Sequence, residues 1–453
     1  MERVKNVVLA GLVLLSLFLS WQLMTYQPQY DYLTQDHYDQ LEGLAESKEW
    51  QELFKPHLVV FHLAQEIRAA PPSTHAHQYV VRQMGQWELE PLKPVRADRR
   101  SEWEAALGQS EGIEFHFWQE QPLEIVLRLF KVQDEDGVDW PLLEGESSMV
   151  TVRRILLFQD PRFENEVSLI MVQADGELLE SRVANLSWRE LNTLIKLGKE
   201  QDRYLSLGTE DEALHASAHY VPDGPVIMEE MHYRYKRIPI HHMLSYLFVD
   251  PSLVRRIEEK GNTILYLHGP RGVQVDRNYT TMSYFHPPLD QADDRQGQDT
   301  VDPVRAVQFV NQHKGWDREF LFDQLRITYG DQLVQFQFRE YLGTYPVYSE
   351  SGVRLSTLNI DLKLGRVVGY SRSLLQRGEM IESYTHELPS GAEVMDALKE
   401  NGINLSQIRL FNLGYKQTVE GSLLKYEPCW VIELMDGKRW LITDVAHLGR
   451  NAA

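Results

Sequence analysis

Hydrophobic positions along the chain fall into two regimes. From Val7 to Met24 they form one continuous run, in which only Ser16, Ser20 and Gln22 are more polar than glycine. A helix of that length spans ~27 Å, close to the ~30 Å hydrocarbon thickness of a bilayer. Arg3 and Lys5 precede the run; Trp21, Tyr26, Tyr30 and Tyr32 follow it. Such flanks keep an N-terminus in the cytoplasm and anchor the helix exit at the interface. Residues 1–30 are therefore expected to be a cytoplasmic tip and a single-pass anchor in the cell membrane, with the rest extracytoplasmic. The competing reading, a cleaved secretion signal, would put Phe18 where a small residue is wanted.

Beyond the run the pattern becomes short and mixed. Leu33, Tyr38, Leu41 and Leu44 have helical spacing and predict a stalk helix within 31–55. Strand-like runs follow at 58–61, 113–117, 150–158 and 167–172. Ser187-Trp188-Arg189-Glu190 has capping-box spacing and opens a helix to about Leu197. Residues 31–235 read as one α+β domain. Residues 236–302 read as a small central α+β unit: helices at 240–249 and 253–260, the second capped by Ser252, then strands at 263–268, 272–276 and 279–285. A polar linker runs over 287–303.

Residues 303–453 suggest an internal repeat. A helix at 304–312 leads to strands at 333–340, 341–347 and 358–364. A helix opening at Ser390 leads to strands at 410–416, 423–434 and 439–443. The expected fold class is α+β: a transmembrane helix, then a multi-domain ectodomain of antiparallel sheets with helices packed on one face. Its C-terminal part would carry repeated α-β-β-β units.

Composition narrows the function. With 453 residues, 43% hydrophobic and 25% charged, the chain is globular and large enough for several cores. Its net charge of −20 disfavours nucleic acid and anionic lipid as partners. The single cysteine, Cys429, excludes an internal disulfide, and its apolar neighbours Trp430, Val431 and Ile432 make it a buried small hydrophobe.

Catalytic motifs are thin. His215 and His219 have zinc-helix spacing, but Ala216 stands where the base is needed, so they read as surface histidines. His75 and His77 fall in a presumed loop after Pro71-Pro72, and His241-His242 begin a helix. Ser422-Leu423-Leu424-Lys425 matches Ser-x-x-Lys but leads into a strand, where the two side chains diverge. No cofactor or metal site is expected. With 66 acidic residues a hydrolytic carboxylate pair stays open as an alternative, as does a passive envelope scaffold. In the anchor, Ser16 and Ser20 form a small-xxx-small pair beside Gln22, the candidate partner-binding residues within the bilayer.

Several segments carry a family resemblance: Leu19-Ser20-Trp21-Gln22-Leu23-Met24 through Tyr30, Ser252-Leu253-Val254-Arg255-Arg256-Ile257, Thr263-Ile264-Leu265-Tyr266 with Arg271-Gly272-Val273-Gln274-Val275, and Gly343-Thr344-Tyr345-Pro346-Val347-Tyr348. Across essentially its whole length the chain resembles the YycH (WalH) family of Gram-positive bacteria. The resemblance implies an accessory regulator of the WalK–WalR (YycG–YycF) two-component system, which governs cell-wall homeostasis. It implies action together with a YycI-like protein on the sensor histidine kinase, largely through transmembrane helices. It implies no catalytic residues and leaves the sign of regulation open.

Overall fold

The computed structural model describes residues 46–131, 150–207, 218–287, 301–350 and 354–444, apart from 65, 97–98, 101–102, 104–109, 161–162, 260–261 and 329–332. It also describes Asp31, Tyr32 and scattered positions from Lys5 to Phe18.

The strands form two sheets. β1 (Asp31–Tyr32) belongs to the larger one. β2 (Leu58–His62), β3 (Ile67–Ala70), β4 (Lys93–Pro94), β5 (Gly112–Pro122), β6 (Thr151–Gln159), β7 (Glu166–Gln173), β8 (Leu178–Ser187), β9 (Asp202–Leu207) and β10 (His219–Pro222) make a nine-stranded antiparallel sheet in the order 10-9-3-2-5-6-7-8-4. Alternation assigns its faces. Val59, Phe61, Ile113, Phe115, Ile155, Leu157, Leu169 and Met171 point into a core beneath the helices His75–Met84 and Trp188–Ile195. Leu156, Phe158, Ile170 and Val172 point the other way and are covered by Trp103. Strands apolar on both sides are what a doubly covered sheet requires.

The larger sheet collects β11 (Val226–Arg237), β12 (Arg255–Glu258), β13 (Thr263–His268), β14 (Arg271–Asp276), β15 (Thr281–Phe285), β16 (Glu319–Thr328), β17 (Leu333–Leu342), β18 (Tyr345–Ser349), β19 (Thr357–Lys363), β20 (Arg366–Ser373), β21 (Leu375–Leu388), β22 (Ile408–Glu420), β23 (Leu423–Leu434) and β24 (Arg439–Ile442). Its path is 1-12-13-14-15-20-19-17-18-22-23-11-21, with β16 on β17 and β24 on β23. β18 joins the two halves. It turns back from β17 through Gly343 (φ 60°) and then runs parallel to β22 from Val347 to Ser349. Close approach at that joint needs Gly414, where a Cβ would lie 2.9 Å from Pro346 O. The first half shares the core of the nine-stranded sheet through Val273, Tyr284, Phe336, Phe338 and Ile360. The second half builds its own core from Leu413, Tyr426 and Trp430 under Val394 and Leu398 of the helix Gly391–Glu400.

Several expectations change. The segment expected as a helix over 253–260 is a 3-10 turn, Pro251–Leu253, followed by strand β12. Asp250, not Ser252, caps the turn, accepting from Ser252 N at 3.0 Å. Pairing with β13 satisfies this backbone in place of a helix. Of the segment expected to hold the stalk helix, Asp31–Tyr32 is a strand and Trp50–Leu53 a helix; Leu33, Tyr38, Leu41 and Leu44, on which the expectation rests, lie outside the described residues. His75 and His77 sit in a helix, not a loop, because Thr74 caps it by accepting from His77 N. The first expected α-β-β-β unit has six strands between its helix and the next, β16 to β21; the second has three. β11, whose residues fall within the expected first domain, pairs with β21 and β23 in the larger sheet.

The two sheets meet along a packed seam. Phe54 stacks on Phe322 at 4.2 Å and meets Phe336 and Phe338 edge-on. Lys48 N donates to Asn311 Oδ1 and Asn311 Nδ2 donates to Lys48 O, both at 2.9 Å. Truncating so buried a ring leaves a cavity as well as a lost transfer term, so Phe54→Ala should cost about 3–5 kcal/mol. The check is the urea midpoint, expected to drop with the β-sheet spectrum otherwise retained.

Candidate functional site

The N-terminal segment is the first candidate. Its described positions, among them Leu9, Leu12, Val13, Leu15, Ser16 and Phe18, are helical and exposed. Leu9 is 63% exposed and Leu12 58%. Ser16 is exposed on the helix; Ser20 and Gln22 lie outside the described residues. Among the described residues no helix is long and apolar enough to cross a membrane. Downstream of the segment, Asp31 and Tyr32 pair with Arg256 and Arg255, so the chain leaving it is stitched onto the larger sheet.

The seam holds the second feature. His57 Nε2 lies 3.2 Å from Phe322 O, across the seam, while Trp118 N donates to His57 Nδ1 at 3.3 Å. A carbonyl only accepts, so the ring carries its proton on Nε2 and none on Nδ1. Protonation would oppose two N–H donors. Burial above all holds this imidazole down to about 4. His219 Nε2 reaches Ile408 O at 3.2 Å, again across the sheets, and burial takes it to about 3. His77 Nε2 reaches Pro56 O at 2.8 Å, and burial takes it to about 3.

A third feature is a set of buried ion pairs. Glu114 is fully enclosed and receives Arg154 through Nε at 2.7 Å and Nη2 at 2.9 Å, Tyr220 Oη at 2.7 Å and His62 Nε2 at 3.0 Å. Burial alone would raise its carboxyl, but Arg154 outweighs that and holds it well below the usual range. In the larger sheet Arg318 pairs with Glu340, Arg372 with Asp317, and Arg339 with Asp323. Every carboxylate here is matched by a guanidinium, the arrangement of a structural network and not of an acid–base pair.

The residues weighed for catalysis do not assemble. His215 lies outside the described residues. His219 is buried in β10, not on a surface helix. Ser422 is in the turn between β22 and β23, and Lys425 pairs with Glu230. Cys429 is buried and burial raises its thiol. Among the described residues no group of three or more His, Cys, Asp or Glu is arranged to hold a metal ion. A cleft of about 840 Å³ opens where β5 and β6 meet β16 and β22–β24. Sequence reasoning did not find it, because one wall comes from residues 119–151 and the other from residues 324–441.

The comparisons bear on this arrangement. The description "YycH protein, N-terminal domain" matches residues 2–199, and "YycH protein, C-terminal domain" matches residues 216–447. The chain belongs to the YycH family. It is 20% identical, over a 462-residue alignment covering 96% of this chain and 94% of the relative, to the two-component system WalR/WalK regulatory protein YycH of Bacillus subtilis (strain 168). The crystal structure of YycH from Bacillus subtilis matches with a TM-score of 0.63 at 15% identity, covering 88% of this chain and 98% of that one. The latter is a likeness of fold. The chain is a regulatory accessory protein and not an enzyme, which sets aside the hydrolase reading.

Two outcomes follow from the buried groups. For His57, His77 and His219 the folded pKa is lowered, so the unfolded chain binds more protons below about 6.5. Their contribution is present above that pH and lost as pH falls toward 4 and 3, by up to about 1.4 kcal/mol per pH unit for each ring. Thermal midpoints should therefore fall from pH 7 to 4.5, and His57→Gln should make that slope shallower by about one proton. Separately, Glu114→Leu strands a buried guanidinium and should cost about 3–5 kcal/mol in urea unfolding. Adding Arg154→Leu should recover much of that loss.

Proposed function

We propose that this chain is a membrane-anchored extracytoplasmic regulator of a WalK-type (YycG) sensor histidine kinase, acting with a YycI-like partner through its N-terminal helix and its ectodomain. The observation that carries the reading is the apolar N-terminal segment. Leu9, Leu12, Val13, Leu15 and Phe18 are helical and exposed, in a chain whose family and curated relative are regulators of a two-component system. Apolar surface on all sides of a helix calls for lipid or another helix as its surroundings. The reading has one pass, N-terminus inside, anchored over residues 7–24.

Within the bilayer Ser16, Ser20 and Gln22 would form the face that meets the kinase, since small and hydroxylic residues admit close helix approach. The exit strand β1 supports a mechanical link: a shift or rotation of the helix pulls on two backbone-paired residues of the larger sheet. A bias of ~1–3 kcal/mol between two helix packings would change kinase output ~5–150-fold.

The test is crosslinking from single cysteines along residues 7–24 of the full chain in membranes that contain the kinase. Crosslinks on the face of Ser16 and Ser20 are expected. Co-purification of the kinase should be lost when the segment is exchanged for an unrelated apolar helix. Crosslinks on no face, or a mature protein beginning after Ser20, would overturn the reading.

A further inference from the structure

The cleft between the sheets has a charge opposite to that of the chain. Four cations line it, Arg326, Arg409, Lys438 and Arg439, against two carboxylates, Glu120 and Glu433, in a protein of net charge −20. One of those carboxylates is already shared. Glu433 is buried, and Arg439 Nε donates to its Oε2 at 3.0 Å while Arg409 Nη1 donates to its Oε1 at 3.4 Å. A single carboxylate between two guanidiniums leaves positive charge over.

The other two cations have no acidic partner among the described residues. Arg326 faces the neutral amide of Gln324. Lys438 Nζ lies 5.3 Å over the Trp440 ring, which leaves its charge uncompensated. Behind this wall Arg153, 4% exposed, donates to Arg409 O, across the seam. Burial takes its guanidinium down to about 10, and Arg409 and Arg154 add to the fall while Glu120 and Glu433 oppose it. Counted over the lining itself, four cations stand against two carboxylates.

The lining is polar elsewhere as well. Gln119 lines the cleft, is 4% exposed, and its side-chain oxygen has no hydrogen-bond partner. Thr151, Ser349 and Gln324 add neutral polar groups to the lining. At about 840 Å³ the space matches the range of small-molecule sites. Guanidinium forks suit the paired oxygens of phosphate and carboxylate.

We propose that this cleft binds a small oxyanionic ligand, carrying phosphate or carboxylate together with hydroxyl or amide groups, and that the ligand bridges the two sheets. The cations on β16, β22 and β24, with Lys438 in the turn before β24, hold the anion. Because its walls come from both sheets, occupancy stiffens the seam. The inference is independent of the kinase reading, since it rests on the ectodomain alone.

The test is calorimetry and thermal unfolding of the full chain in neutral detergent micelles at low salt. Inorganic phosphate, glycerol 3-phosphate and N-acetylglutamate serve as probes. Saturable binding of at least one probe is expected, with a raised unfolding midpoint. The phosphate and carboxylate arms identify the anion. Arg326→Gln combined with Lys438→Gln should weaken binding at least tenfold, and Arg326→Gln alone should weaken it less. Both residues are exposed, so their replacement spares the core. Lys399→Gln, on the remote helix Gly391–Glu400, should leave affinity unchanged. The proposal is overturned if no probe binds saturably, if the double variant binds as the parent does, or if Lys399→Gln weakens binding equally.

Discussion

Everything in the two-sheet body depends on the seam where one sheet is closed against the other with neutral groups. Phe54 enters an aromatic nest of Phe322, Phe336 and Phe338. Two imidazoles, His57 and His219, donate across the joint to main-chain carbonyls of β16 and β22. Such carbonyls lie on a sheet surface where water is excluded, so each must find a donor or cost about 1–3 kcal/mol. A lysine would bring a charge that burial opposes; a hydroxyl would lack the reach. Neutral histidine supplies a flat, apolar ring and one proton, and the stacked rings of Trp118 and Tyr341 extend the same surface. The seam is therefore continuous with the hydrophobic core.

That continuity gives a regulator what it needs. Under the proposed function a signal received by the helix is passed to β1, which is hydrogen-bonded to β12 at the end of the sheet path. From there antiparallel pairing runs unbroken through β13, β14, β15, β20 and β19 to β17, whose partner β16 carries Phe322 at the seam. A sheet cannot slip by one residue without exchanging its two faces. Displacement at one end is therefore passed on as displacement, not absorbed as slack. Under the proposed function, a kinase helix that moves the anchor also moves the ectodomain, and a ligand that stiffens the ectodomain restrains the anchor.

How much of this was legible depended on how local each signal is. Ser187 with Glu190, and Ser390 with Glu393, announce helix starts within four residues, and both capping boxes form. Buried strands such as β6 and β7 read directly as apolar runs. β12 misled because Arg255-Arg256-Ile257-Glu258 has no pattern of its own and is a strand only through β13. β11 and β21 went unnoticed because their exposed stretches carry Glu229, Glu230, Glu379 and Glu382 among the apolar residues. The buried role of His219 rests on Ile408, almost two hundred residues away, and no spacing rule reaches that far. The cleft is invisible for the same reason. The apolar run of 7–24 is the opposite case, since its signal is entirely composition.

The ion pairs inside the sheets show where specificity is kept. Replacing a buried pair by apolar residues is often neutral or stabilising, so Glu114–Arg154 and Asp323–Arg339 are not explained by stability alone. What they supply is register. Glu114 lies on β5 and Arg154 on β6, with His62 from β2 and Tyr220 from β10 on the same carboxylate. A slip of any of these strands would leave a buried charge unmatched, at a cost of several kcal/mol. Asp323 on β16 and Arg339 on β17 impose the same condition on the other side of the seam. The neutral seam holds the sheets together; the charged pairs on either side of it fix which alignment is held.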